Sequence, residues 1–349
     1  MENFDLAIIG SGIVGSSLAY YSAKKEKKIL IIEKNFTGYN ASGNAQGGLS
    51  PYLGKDQKLK KIHLESFLLH SKLNETIFYE SGIDPCYRNK KLFHLISDEG
   101  EKKQLNLVSG SGNELRNSFI YDEKEIKNIE PKLKTAPFGA LVVNNYLEVD
   151  SFNLTNALKQ ASINNGAKYL NFDFNISNLI INNSNFEGIN LGNEKYNVGK
   201  IAITAGPWTA SILDKYLDVK VKPLKGQIIK ARTNEQFPAS FSWGRDYATK
   251  KMDGTLWIGT TEEDVDFLEG ETEEAKTHIL TSFRNTFNGF DDLEIENQTA
   301  CFRPYSENNF PIIQESDEIK NLFLGTGAGR NGIKIGPSMG KRLSDMIFS

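Results

Sequence analysis

A chain of 349 residues is too long for one ordinary core and about right for two domains. Its hydrophobic content of 39% and aromatic content of 11% exclude global disorder, and a net charge of 41 − 44 = −3 argues against a nucleic-acid binder, although a local patch on a neutral protein can still hold RNA. Two cysteines, Cys86 and Cys301, exclude a disulfide framework, and four histidines (His63, His70, His94 and His278) without paired spacing give a metal site little support.

In chain order, the first element is a buried strand over residues 4–9. Its apolar stretch is too short for a signal core, and no apolar run reaches the roughly eighteen residues of a membrane span, so a soluble, cytoplasmic protein is expected. The strand runs into Gly10-Ser-Gly12-Ile13-Val14-Gly15, with a helix expected over 13–24. A second apolar run, 29–32, ends in Glu33, followed by Lys34. Strand, spaced glycines and an acid eighteen residues after Gly15 describe a dinucleotide cradle. The first glycine permits the turn and the second admits the pyrophosphate. The third lets helix and sheet pack closely, while the helix N-terminus faces the phosphate charge. An acid at the strand end fits a ribose hydroxyl and disfavours a ribose phosphate, leaving NAD or FAD.

A small-residue stretch follows at 41–49, then helical periodicity over 57–82. Residues 85–140 are mixed and lysine-rich, with a turn cluster at 109–113 and a break at Pro131. Asp150 and Ser151 offer caps for a helix carrying Phe152, Leu154, Ala157 and Leu158, and residues 166–170 read as the strand leaving it. Another buried strand over 199–204 ends in Ala205-Gly206-Pro207-Trp208. Alternation within 219–300 predicts an antiparallel sheet. Residues 321–332 give a strand and a second glycine-rich turn, and a terminal helix is expected from Pro337 to Phe348. Strand-to-small-residue junctions near residues 10, 205 and 327 fit the C-terminal edge of one parallel sheet, where open α/β sheets bind ligands. A cofactor touched by the first, middle and last parts of the chain requires an interleaved architecture, which favours FAD over NAD.

These residues resemble the D-amino-acid oxidase superfamily of flavoproteins, within it the glycine oxidase and sarcosine oxidase branch. The fingerprint Gly10–Gly15 with Glu33-Lys34, Ala205-Gly206-Pro207-Trp208, Pro223-Leu-Lys-Gly226-Gln227, Phe302-Arg303-Pro304 and Arg330-Asn331-Gly332-Ile333 match it in order along nearly the whole chain. Residues 41–51 resemble instead the oxidase domain of the bifunctional tRNA wobble-uridine modification enzyme, which removes a carboxymethyl group from a modified uridine. Both branches oxidise an amine carrying CH2–COO−.

The resemblance implies an α/β fold in which a Rossmann-like FAD-binding domain with a parallel sheet (1–84, 141–218 and 301–349) is interleaved with an antiparallel-sheet α+β substrate domain (85–140 and 219–300). It implies FAD contacts from Gly10, Gly12, Ile13, Val14, Gly15, Glu33, Lys34, Ser42, Gly47, Gly48, Leu49, Ile176, Ala205, Gly206, Trp208, Arg330, Asn331, Gly332, Ile333 and Lys334. Ser42 is expected at the pyrophosphate, Gly47 to Leu49 beside the isoalloxazine, and the amides of Gly332 to Lys334 at its pyrimidine oxygen. Arg303 is expected to clamp a substrate carboxylate, because a planar guanidinium grips both oxygens. Tyr247 is expected to donate to that carboxylate, and Arg330 to lie near flavin or substrate. Trp257 stands where some sarcosine oxidases carry an oxygen-activating lysine, which leaves oxidase and dehydrogenase both open. Cys301 stands near the position at which monomeric sarcosine oxidases attach flavin covalently. The expected function is FAD-dependent oxidation of the C–N bond of glycine, sarcosine or a small D-amino acid. The expected partners are a small amine, oxygen or another electron acceptor, and a second copy of the chain. The alternatives are a tRNA oxidase and a non-catalytic FAD-binding subunit.

Overall fold

The first glycine turn sits where it does because the strand before it, Asn3–Ile9, lies in the middle of a sheet. In the computed structural model, which describes residues 2–110, 115, 117–307 and 310–349, this strand pairs in parallel with Ile29–Glu33 on one side and Glu194–Ile203 on the other. Lys168–Asn171 extends the sheet beyond Ile29–Glu33, and Leu322–Thr326 extends it beyond Glu194–Ile203, again in parallel. The chain therefore leaves its first strand in one direction and returns on the other side. That reversal opens a crevice at the C-terminal ends of Asn3–Ile9 and Glu194–Ile203. Antiparallel pieces, Ile312–Glu315 and the hairpin Leu179–Asn182 with Asn185–Leu191, complete eight strands.

Near-continuous apolar runs make these central strands, since helices and hairpins cover both faces. Leu6, Ile8, Ile29 and Ile31 pack beneath the helices Ile13–Ala23, Ser151–Asn164 and Gly332–Ile347, whereas Ala7, Ile9, Leu30 and Ile32 face Phe174, Phe186 and Leu217. The first and last helices cross closely because Gly336 and Gly340 carry no side chain: a Cβ at Gly340 would lie 2.4 Å from that of Ser17.

The second sheet has nine strands. Its main path runs Glu294–Ser306, Val221–Arg232, Leu256–Gly259, Asp246–Lys250, Ser240–Trp243, Arg88–Leu95, Ala140–Glu148 and Gly48–Leu49, with Ser118–Tyr121 beside Ala140–Glu148. Phe93, Phe241, Phe283 and Phe287 form much of its core.

Several expectations change here. The second sheet is antiparallel except where Ser240–Trp243 runs parallel to Arg88–Leu95. A helix, Glu273–Thr286, interrupts the region read as sheet and buries Ile279 and Phe283 against it. The expected domain boundaries at 141 and 301 fall inside Ala140–Glu148 and Glu294–Ser306, both strands of the second sheet. Of the expected turn at 109–113, residues 111–113 lie outside the described residues. No helix among the described residues is long and apolar enough to cross a membrane.

The terminal helix begins at Gly332, five residues before the expected start, with Pro337 inside it. Proline has no N–H, so the carbonyl four residues earlier, at Ile333, loses its helical partner. His70 replaces it: its Nε2 lies 3.0 Å from that carbonyl. A carbonyl only accepts, so Nε2 carries the proton and Nδ1 accepts from the Tyr87 hydroxyl at 2.7 Å. A side chain from a distant helix thus supplies the missing peptide donor.

Candidate active site

A cavity of about 800 Å³ runs from the crevice of the first sheet to the face of the second. At its first end Gly10 adopts φ +94°, and a Cβ there would lie 2.8 Å from the carbonyl of Thr204. Thr204 closes the same corner from the neighbouring strand, its hydroxyl donating to the carbonyls of Ile9 (2.9 Å) and Gly10 (2.8 Å). Gly12, Ile13 and Val14 line the cavity; Gly15 does not, because its work is packing. A Cβ at Gly15 would lie 2.0 Å from the Gly10 carbonyl, so only glycine lets the helix sit this close to the turn. The free amide of Ile13 at the helix start points to the Ser42 hydroxyl at 2.9 Å, which places Ser42 at the anion-binding end of the helix. Glu33 Oε2 accepts from the amide of Ser11 at 2.8 Å, fixing the carboxylate at the cavity edge with Lys34. Ala205, Gly206 and Trp208 line the opposite wall.

Besides Gly15, two expected cofactor residues lie elsewhere. Ile176 opens the short turn Ile176–Asn178 and packs into the apolar core, and the cavity is lined there by Phe172, Asp173, Phe174 and Asn175. Leu49 is 4% exposed and belongs to the core beneath the first sheet, because strand alternation turns it away from the face that Gly48 presents. Gly47 and Gly48 do line the cavity, and their far sides are crowded: a Cβ would lie 2.0 Å from the Val149 carbonyl at Gly47 and 1.7 Å from the Tyr146 hydroxyl at Gly48. Arg330, Asn331, Gly332, Ile333 and Lys334 form the facing wall, and Lys334 donates to the Ser50 hydroxyl at 2.8 Å.

The second sheet brings Arg303 and Tyr247 to one end of this cavity, and Arg330 joins them from the short turn Gly329–Asn331 that follows the last strand of the first sheet. Arg303 lies over Gly226, where any Cβ would strike the guanidinium at 2.2 Å. Its Nη1 donates to the Thr261 carbonyl (2.9 Å) and its Nη2 to the Thr260 hydroxyl (2.7 Å), using two of five N–H donors and fixing the plane of the fork. Tyr247 lies across from Gly259, and its hydroxyl has no partner among the described residues. Burial pushes its phenol well above the ordinary range, partly offset by the positive charge of Arg303, so it is a donor at neutral pH. Arg330 donates to the Arg245 carbonyl at 2.6 Å and to Glu262 at 3.3 Å. Two guanidinium groups and a phenol at one pole describe a receptor for a carboxylate.

Cys301 also lines the cavity, and burial pushes its thiol up, which disfavours the thiolate. Trp257 does not line it; the indole is flanked by Lys230 and Lys251 at 4.2 and 5.2 Å from its centre. Sequence reasoning missed His63. It is 2% exposed and lines the cavity, and neither ring nitrogen has a partner. Burial and the nearby Lys334 push its pKa down to about 3, leaving a neutral ring able to donate and accept. No local pattern marks it, because it occupies one buried position of a long helix, Gln57–Ser81.

The donor set fits FAD: a helix N-terminus at Ile13, a strand-end carboxylate, glycine walls admitting a flat ring, and an unpartnered buried imidazole. Gly10→Val is expected to weaken FAD binding at least roughly tenfold, since it adds both a clash and an unfavourable backbone conformation. The flavin absorbance retained by purified protein measures this; full retention would contradict it.

Comparison with known proteins agrees with this geometry. Residues 5–346 match the family described as FAD dependent oxidoreductase. The chain is 22% identical to glycine oxidase of Bacillus subtilis (strain 168), the match covering 100% of this chain and 94% of that protein. The crystal structure of glycine oxidase from Bacillus cereus ATCC 14579 superposes with a TM-score of 0.89 at 26% identity, covering 99% of this chain and 95% of that one. Iminodiacetate oxidase from Chelativorans sp. BNC1 shares the fold, with a TM-score of 0.85 at 23% identity over 97% and 94% of the two chains. With the family matched almost from end to end and the dinucleotide cradle in place, the chain belongs to the FAD dependent oxidoreductase family.

Proposed function

We propose that this protein oxidises the C–N bond of a small amino acid or N-substituted glycine. The observation that carries the reading is the convergence of Arg303, Tyr247 and Arg330 on one pole of the cavity whose other pole is the dinucleotide cradle. Gly10, Ile13, Glu33, Ser42, Gly47, Gly48 and the turn from Arg330 to Lys334 would hold FAD, which supplies the two-electron acceptor when bound.

The remaining work belongs to the chain. Arg303 receives the substrate carboxylate with its free N–H donors, already oriented by Thr260 and Thr261. Tyr247 adds one donor to the same group, and Arg330 balances the charge. Holding the carboxylate at one fixed point fixes the α-carbon relative to the glycine walls, a gain in orientation that needs no protein acid or base. Apolar side chains of Leu92, Leu141 and Val143 bound this part of the cavity and favour a small substrate over a bulky one. The names of the glycine oxidases and of iminodiacetate oxidase, all acting on amines that carry carboxymethyl groups, support the same class. The tRNA reading rests on residues 41–51, whereas the glycine oxidase match runs the length of the chain. We assign the electron acceptor as oxygen or another oxidant from solution and the compartment as cytoplasmic.

The test is anaerobic mixing of the purified flavoprotein with glycine, sarcosine, iminodiacetate and small D-amino acids. Bleaching of the flavin by at least one is expected; no bleaching by any would overturn the proposal.

A further inference from the structure

Behind the wall formed by Gln46, Gly47 and Gly48 lies a buried charge cluster that the reaction above does not use. Glu148 is 1% exposed, with Arg88 at 2.5 Å, Lys251 at 3.3 Å and Lys90 at 3.9 Å from its carboxylate oxygens. Lys90 and Lys251 are themselves 8% and 10% exposed. One carboxylate therefore faces three cations. Around Lys251 the charge set also includes Lys230, Asp150 and Asp253; with Arg232, beyond Asp253, set aside as paired to Glu296, four cations stand against three carboxylates. The Tyr146 phenol is pushed up by burial and by Glu148, and stays neutral.

The cluster is wired to the wall. Lys251 donates to the carbonyl of Gln46 at 2.8 Å and lies 3.6 Å from where a side chain at Gly47 would begin. Glu148 accepts from Gln46 Nε2 at 3.4 Å and from the Thr249 hydroxyl at 2.7 Å, while Gln46 Oε1 accepts from the amide of Gly48 at 3.0 Å. Gln46, Gly47 and Gly48 line the cavity, so the charges lie one residue behind its surface. Excess positive charge buried this way is screened little by salt. It costs desolvation free energy, visible in Lys90, whose ammonium is brought down to about 8 by burial.

We propose that the Arg88, Lys90, Lys251 and Glu148 cluster is a positioning device that raises the reduction potential of FAD held against the Gln46–Gly48 wall. This rests on the FAD-dependent reading above. When the substrate C–H bond breaks, its hydrogen leaves with the electron pair for the flavin, and the substrate becomes the imine. A flavin held against this wall would gain negative charge on accepting the hydride, so a nearby positive field would lower its reduced state more than its oxidised one. A unit charge acting over roughly 10 Å at an effective interior dielectric shifts such an equilibrium by about tenfold.

The test is a pair of variants with opposite signs. Lys90→Met removes a cation that hydrogen-bonds to Thr249 and the carbonyl of Lys250 and lies 3.9 Å from Glu148, and Glu148→Gln removes the one anion facing the three cations. Flavin potentials are measured at pH 7 by equilibration with reference dyes, with sulfite affinity as a second readout. Lys90→Met is expected to lower the reduction equilibrium constant about tenfold, about 30 mV for a two-electron couple, and Glu148→Gln to raise it similarly. A merely structural role would weaken FAD retention in both variants without moving the potentials in opposite directions. Shifts of the same sign overturn the proposal, as does a Lys90→Met potential equal to wild type, which decides alone if Glu148→Gln does not fold. A wild-type protein that fails to bind FAD removes the underlying reading as well; one that binds FAD and bleaches with an amine, but whose variants keep the same potential, removes this inference only.

Discussion

Arg303→Leu is expected to lower the second-order rate of flavin reduction by about a thousandfold while FAD content stays near wild type. The estimate follows from removing one partner of a desolvated, charge-paired interaction, which costs about 4 kcal/mol. Two features make Arg303 the larger lever of the carboxylate pole. Its fork is fixed by Thr260 and Thr261 before substrate arrives, and Gly226 leaves the space beneath it clear. Arg303→Lys keeps the charge but loses the planar grip, so it is expected to recover only part of the rate. Tyr247→Phe removes a single donor to a charged group and is expected to cost about tenfold. Anaerobic rapid mixing over a substrate series checks all three. A wild-type rate in Arg303→Leu would place the carboxylate elsewhere.

The second large effect concerns acid. His63 and His70 are both buried and neutral, with pKa values brought from 6.5 to about 3 and about 4. Burial is the main cause in each. Below pH 6.5 the unfolded chain protonates these rings and the folded protein does not, so unfolding takes up protons and stability falls with pH. The stabilisation is fully present above pH 6.5 and is lost progressively as pH falls, down to about 4 for His70 and about 3 for His63. By pH 4.5 each ring is expected to have cost roughly 2–3 kcal/mol, a large share of a typical total. Urea unfolding of FAD-free protein at pH 7 and pH 4.5 measures the loss. Without FAD, His63→Leu gives up no hydrogen bond, so it is expected to remove about half of the pH dependence. An unchanged acid loss in that variant would refute the assignment.

The legible parts of this protein are those whose logic is local. Gly10, Gly12, Gly15 and Glu33 declare a cradle because turn, helix start and strand end lie within one short unit. Ala205 and the turn after Thr326 join it because each follows an apolar strand. Arg303, Tyr247 and Arg330 are readable only through resemblance; a lone arginine in a strand carries no periodic signal. The Glu148 cluster is invisible in the sequence, since residues 46, 88, 90, 148 and 251 meet only after the second sheet pairs. The start of the terminal helix is hidden from the sequence for a similar reason. Proline at 337 signals a helix start by local rules, and only His70, from another helix, lets the helix run through it.

The place of Asn3–Ile9 at the middle of its sheet also bears on how the protein comes into being. During synthesis its neighbour Glu194–Ile203 follows nearly two hundred residues after it, and Leu322–Thr326 later still. At about 5–20 residues per second, the nascent chain spends many seconds with this strand unpaired on one side. The wall at Arg330–Lys334 joins the cavity more than three hundred residues after Gly10. A cavity walled from both ends of so long a span encloses flavin only after both walls exist, and until Glu194–Ile203 pairs with Asn3–Ile9 the open strand edge is a site for aggregation.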